Sequence, residues 1–103
     1  MLTYKSNIMY LVLVTYIKPI EDVDAHLTNH RAYLDKFYAT GNLICSGPQN
    51  PRTGGLLLAN FANTDEVWNF IHNDPYYLNK IADYKIVEFS PVKYAKGFEH
   101  FVK

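Results

Sequence analysis

His30 stands where an apolar side chain belongs. In the stretch VDAHLTNHRAYLDKF, Val23 to Phe37, a helix turning ~100° per residue gathers Val23, Leu27, Leu34 and Phe37 within about 80° of one another, with His30 inside that arc. His26 and Tyr33 lie on one shoulder of the stripe. Asp24, Thr28, Ala32 and Asp35 make a wet far side, so the helix does not need His30 for solubility. An imidazole so placed must find a hydrogen-bond partner or line a cavity, because burying a polar group unpaired costs roughly 1 to 3 kcal/mol. Periodicity leaves two readings open, a satisfied core histidine and a pocket residue.

Asp74 precedes Pro75 as a helix cap does. Its carboxylate can serve twice, one oxygen capping and the other facing His30. Such a pair holds the imidazole in one tautomer and raises its basicity, which general base catalysis requires. Ser46 offers a hydroxyl to the same pocket, although no G-x-S-x-G elbow surrounds it, so a hydrolase triad is not indicated. Arg52, between Pro51 and Gly54-Gly55, is suited to pair with a carboxylate or phenolate, and its loop lacks the lysine and spacing of a phosphate-binding P-loop. His26 and His30 have the i, i+4 spacing of a two-imidazole metal site. Without an accompanying Glu or a third ligand nearby in sequence they read as separate histidines, and no metal is expected. Cys45 reads as inert packing and Glu88 as an ion-pair partner.

The elements that must position these groups follow from pattern and punctuation. Residues 8 to 17, IMYLVLVTYI, are β-branched and aromatic and apolar on both faces, which predicts a strand covered on both sides. Acidic residues 21, 22 and 24 suit a helix N-terminus and Gly41 a C′ position, giving one helix from about 21 to 40. Leu43 to Ser46 and Leu56 to Ala62 are the second and third strands, joined by the loop GPQNPRTGG. Asn63 followed by Glu66 resembles a capping box opening a second helix. Asn73-Asp74-Pro75 interrupts that helix, a turn or two resumes from Tyr76 to Ala82, and Tyr84 to Val92 is the fourth strand. The order β-α-β-β-α-β is the ferredoxin-like arrangement, an α+β domain with both helices on one face of a four-stranded antiparallel sheet. Its second face is then bare and apolar, which predicts a two-fold homodimer closed through that face.

The bulk numbers agree with one domain spanning residues 1–103, with a core at about 8–92 and a tail at 93–103. Hydrophobic residues make up 49% and aromatics 16% of the 103 residues, enough to fill a single core. Ten basic and ten acidic side chains cancel without a basic cluster, so nucleic acid is not an expected partner. The apolar run at 8–17 is about half the ~20 residues of a membrane span. Lys18-Pro19 follows it in place of a small-residue cleavage site, so it is not read as a signal peptide. Cys45 is the one cysteine, which excludes an intrachain disulfide and makes the cytoplasm the expected compartment.

Several short motifs, taken in order, resemble the YCII-related family of small dimeric α+β barrel proteins over roughly residues 8 to 92. They are His30-Arg31-Ala32-Tyr33-Leu34, Gly41, Ser46-Gly47-Pro48, Gly54-Gly55, Asp74-Pro75-Tyr76 and Glu88-Phe89. The resemblance implies an acid-base pair in a pocket near a dimer interface, at the positions of His30 and Asp74, with Ser46 at the residue before Gly-Pro. One member of that family is a cofactor-free dehydrochlorinase of a hydroxylated chloroaromatic. The chain departs from the family pattern in His26, in Tyr76-Tyr77 and in its longer tail. Together the residues and the resemblance give the expectation of a cofactor-independent enzyme acting on a small cyclic or hydroxylated molecule. His30 and Asp74 would be catalytic, and Ser46, Arg52, His26 and Tyr33 would contact substrate. The alternative is a metabolite-binding or assembly module with the same pocket and no turnover.

Overall fold

The computed structural model describes residues 8–102; residues 1–7 and 103, with the ends of the expected domain, lie outside them. Strand β1 (Met9–Tyr16) leads through helix α1 (Ile20–Ala25) and helix α2 (Leu27–Thr40) to β2 (Leu43–Pro48) and β3 (Gly54–Ala59). Helix α3 (Thr64–His72) and the single turn α4 (Pro75–Leu78) precede β4 (Ala82–Phe89). The four strands form one antiparallel sheet in the order β2-β3-β1-β4, the ferredoxin-like topology. A short 3₁₀ turn, Phe98–Phe101, closes the described chain, and Asn60 Nδ2 donates to the Phe101 carbonyl at 3.1 Å.

Alternation divides the sheet residues between two faces. Tyr10, Val12 and Val14 from β1 and Leu57 and Ala59 from β3 form one buried cluster with Val23, Leu34, Val67, Phe70, Ile71 and Tyr76 from the helices. The helices therefore cover a single face. On the other, β1 sets Leu11 beside Leu58 and Val87, and Leu13 beside Leu56, through the strand register. Leu56, Val87 and Phe89 are exposed there. Cys45, opposite Leu58, is also exposed on that face and is not the packed residue expected.

Three local features correct the sequence reading and shape the site. The expected single helix over 21–40 is broken at His26, which has non-helical φ −109° and ψ 3° and ends α1 as it begins α2. The resumed turn after Pro75 stops at Leu78, well short of Ala82. Strand β2 carries an irregularity between Leu43, paired with Ala59, and Cys45, paired with Leu58. The extra residue there inverts the alternation, so that Leu43 and Ser46 both face the helices while Cys45 faces away. Gly41 ends α2 in the left-handed conformation, φ 83°, as its position predicts. Asn63 caps α3 by accepting from the Glu66 amide at 2.9 Å.

Candidate active site

Helix α2 and the turn before α4 bring His30 and Asp74 together across 44 residues of sequence. His30 Nδ1 donates to Asp74 Oδ1 at 2.8 Å. A carboxylate accepts and does not donate, so the proton in this bond sits on Nδ1. The same Oδ1 accepts from the Tyr76 amide at 2.9 Å, so one oxygen both caps α4 and orients the imidazole; the expected division between two oxygens does not occur. The Asp74 side chain is 1% exposed and that of His30 is 12% exposed, which puts the carboxylate inside and the ring at a surface. Below the ring lies Tyr76, stacked with centroids 3.9 Å apart and planes 2° from parallel. Carboxylate and phenol together fix both the rotation and the plane of the imidazole.

The surface that His30 reaches is a cleft of about 440 Å³ between α2, the end of β1 and the β2–β3 hairpin. Leu27, Leu34, Val14, Leu57, Tyr16 and Tyr76 make its apolar and aromatic walls, and Ser46, Arg31 and Arg52 join His30 as its polar groups. Its size falls in the range of small-molecule sites. The Ser46 hydroxyl, turned inward by the irregularity in β2, shares a hydrogen bond with the Tyr38 hydroxyl. Arg52 Nη2 donates to Asp24 Oδ1 at 2.7 Å, and its guanidinium lies 5.8 Å from the Tyr16 ring centroid. Asp24 first and Tyr16 second raise the Arg52 pKa. Tyr76 is pushed up to about 12, chiefly by burial and then by Tyr16, with Arg52 opposing, so its phenol stays protonated at neutral pH. Burial first and Asp74 second raise the pKa of Tyr84, a neighbour from β4.

Not every expected contact reaches the cleft. Tyr33 packs on Phe70 and Phe37, and its hydroxyl donates to the Phe70 carbonyl at 2.6 Å. Burial, with Asp74 second, pushes its pKa up to about 12. His26 sits at the α1–α2 junction with Nδ1 bound to the Asp22 carbonyl at 3.1 Å, and it is not among the residues lining the cleft. Both lie on one shoulder of the α2 stripe, and the cleft opens on the other, where Arg31 and Tyr38 fall about 60 to 80° from its centre. Periodicity identified the stripe but carried no sign of which shoulder would be open. Arg31 and Tyr38 escape a reading by periodicity for that reason, and Tyr16 because it ends β1, where strand alternation carries no sign of a cleft. Tyr76 had a signal in its place after Asp74-Pro75. Glu88 accepts from the Thr64 hydroxyl at 3.4 Å and makes no ion pair among the described residues. Among those residues no group of three or more His, Cys, Asp and Glu side chains is arranged to hold a metal ion. Among the described residues no helix is long and apolar enough to cross a membrane.

An imidazole with one nitrogen fixed by a buried carboxylate and its ring at the wall of a cleft is an arrangement able to accept or deliver a proton. That site lies on a ferredoxin-like α+β domain, which defines the class. The chain belongs to the YCII-related domain family, whose model matches residues 9–90. No curated protein matches it in sequence. Among solved structures it is similar to 5-chloro-2-hydroxyhydroquinone dehydrochlorinase from Burkholderia phenoliruptrix, determined in complex with 2,5-dihydroxybenzoquinone. The likeness covers 88% of this chain and 97% of that one, with a TM-score of 0.66 and 20% identity, and at that identity it speaks for the fold.

Proposed function

We propose that this protein is a cofactor-independent acid-base enzyme acting on a small cyclic or hydroxylated molecule, with His30 as the proton-transferring group and Asp74 as its orienting partner. The observation that carries the proposal is the 2.8 Å contact between His30 Nδ1 and Asp74 Oδ1 at the wall of an open cleft. In the reaction His30 Nε2 takes a proton from an O–H or C–H of the bound molecule. The electron pair left behind either expels a leaving group as an anion, as in a dehydrochlorination, or returns at another carbon with the same proton. Tyr76, flat against the imidazole, supports the cation formed when Nε2 is protonated. Ser46 and Arg52 supply polar contacts, and Leu27, Leu34 and Tyr16 exclude water from one side of the ring. The dehydrochlorinase of the same fold is named for a hydroxylated, chlorinated ring, which is the size of molecule this cleft admits.

Two further parts of the proposal concern the whole protein. The open sheet face, with Leu11, Leu13 and Leu58 half-buried and Leu56, Val87 and Phe89 exposed, pairs with the same face of a second copy. A free Cys45 on that face suits the reducing cytoplasm.

The second reading, a binding module without turnover, draws on the use of Asp74 Oδ1 as the α4 cap, a structural duty sufficient to explain that residue. A thermal-shift screen of small phenols and keto acids, followed by turnover assays of the hits, separates the two. Proton transfer by a positioned group contributes about 10²- to 10⁴-fold. The enzyme reading therefore expects His30→Ala to lose that much of kcat while ligands still bind. Ligands bound tightly and recovered unchanged from the parent protein would favour the module.

A further inference from the structure

The chain has no net charge, yet charge is not spread evenly around the cleft. Among its lining residues are Arg31, Arg52 and His30, and no Asp or Glu. Two carboxylates bind lining residues from outside the lining. Asp24 is bound to Arg52 at 2.7 Å, and Asp74 is buried against His30. Arg52, the cation the sequence singled out, is therefore already matched. Arg31 is different, with no ion pair and no side-chain hydrogen bond among the described residues. It follows His30 directly on α2 and lies on the shoulder of the helix that faces the cleft.

Resting on the acid-base reading above, we infer that the ligand of this cleft is a small cyclic anion, a carboxylate or phenolate, and that Arg31 is the group that holds its charge. A guanidinium presents a planar fork of donors matched to two oxygens of a carboxylate. Anchored there, a ring lies along Leu27 and Leu34 toward Tyr76, with its far edge at His30, one residue away on the helix. Arg52, neutralised by Asp24 and set over Tyr16, forms the opposite wall of the cleft and acts as a donor and a cover, not as the charge anchor. The same placement accounts for a positive cleft on a neutral protein. A neutral ligand would leave the Arg31 charge to water, and a cationic one would be repelled.

Calorimetric titration with three probes tests this: 2-hydroxybenzoate for the carboxylate, 4-nitrophenolate for the phenolate, and 2-hydroxybenzamide as the neutral counterpart. The inference expects at least one anion to bind the parent protein about tenfold or more tightly than the amide, since a charge-assisted hydrogen bond is worth that factor. Arg31→Gln should bring that anion down to the level of the amide, and Arg31→Lys should recover part of the loss. Whichever anion responds tells carboxylate from phenolate. Equal affinity for anion and amide, an Arg31→Gln protein that binds the anion as the parent does, or no binding of any probe at millimolar concentration would overturn it. Because Arg31 is exposed, its replacement leaves folding intact, which a melting curve verifies. His30→Ala keeps the two proposals apart. Retained anion binding with unaltered turnover would refute the acid-base role alone, whereas anion binding insensitive to Arg31 would refute the anchor alone.

Discussion

At the scale of single residues, Asp74 decides the most, because its Oδ1 is shared between the Tyr76 amide and the His30 ring. Asparagine keeps an oxygen for both contacts but not the charge that strengthens the imidazole as a base. Asp74→Asn should therefore melt close to the parent and lose at least about tenfold in kcat, within the range of general base effects. Asp74→Ala removes the cap and leaves Nδ1 without its acceptor, and should cost about 1 to 2 kcal/mol of stability in chemical denaturation. An asparagine variant as active as the parent would remove the carboxylate from the mechanism. Much of this residue picture was legible beforehand. His30 interrupts an apolar stripe and Asp74 precedes a proline, and each position restricted its residue to a short list of duties. The sequence could not show that the cleft would open on the Arg31 shoulder and leave Tyr33 to Phe70 and His26 to Asp22. That choice depends on where α3 and the β2–β3 hairpin come to rest, which helical periodicity does not encode.

At the scale of elements, two backbone details place the polar groups. The irregularity after Leu43 turns Ser46 toward the helices, and strict alternation would have turned it with Leu43 on opposite faces. Strand propensity is blind to one extra residue, so the strands were recognised while their facing was not. The other detail is the close approach of β1 and β3. A Cβ on Gly54 would lie 1.8 Å from the Val14 carbonyl oxygen, so only glycine fits beside the end of β1. Gly54→Ala should force the strands apart beside Val14, which lines the cleft, and cost about 3 kcal/mol or more, at the upper end of overpacking effects. A urea denaturation curve reads this directly, and a change within about 0.5 kcal/mol would mean that the hairpin yields without strain. The helix break at His26 lies apart from the cleft. Acidic residues at 21, 22 and 24 marked a helix start correctly, but nothing in the pattern announced that His26 would leave helical geometry.

At the scale of the whole molecule, the sheet has one satisfied face and one unsatisfied face. Two copies joined through Leu11, Leu13, Leu58 and Val87 should sediment as a dimer at micromolar concentration, and Leu11→Lys should shift them toward monomer. A parent protein that stays monomeric there would rule out this interface. The ferredoxin-like order was readable from the succession of apolar runs and breakers, since few topologies accommodate β-α-β-β-α-β in one layer of helices. Alkaline behaviour also belongs to the molecule as a whole. Tyr33 and Tyr76 are raised from the ordinary value near 10 to about 12 by burial, so the folded state holds protons that the unfolded chain gives up. Their contribution is complete below pH 10 and is lost as the pH rises toward 12. The midpoint of urea unfolding should accordingly fall across that interval, and a flat profile would mean that these phenols ionise freely in the folded protein.

The protonation of His30 can be read without a substrate. Nitrogen-15 spectra of the His30 ring in the neutral protein distinguish its two tautomers. We predict the Nδ1–H form, with the proton donated to Asp74 and a bare Nε2 at the cleft. An imidazole found as the Nε2–H tautomer, with no lone pair offered to a ligand, would contradict it.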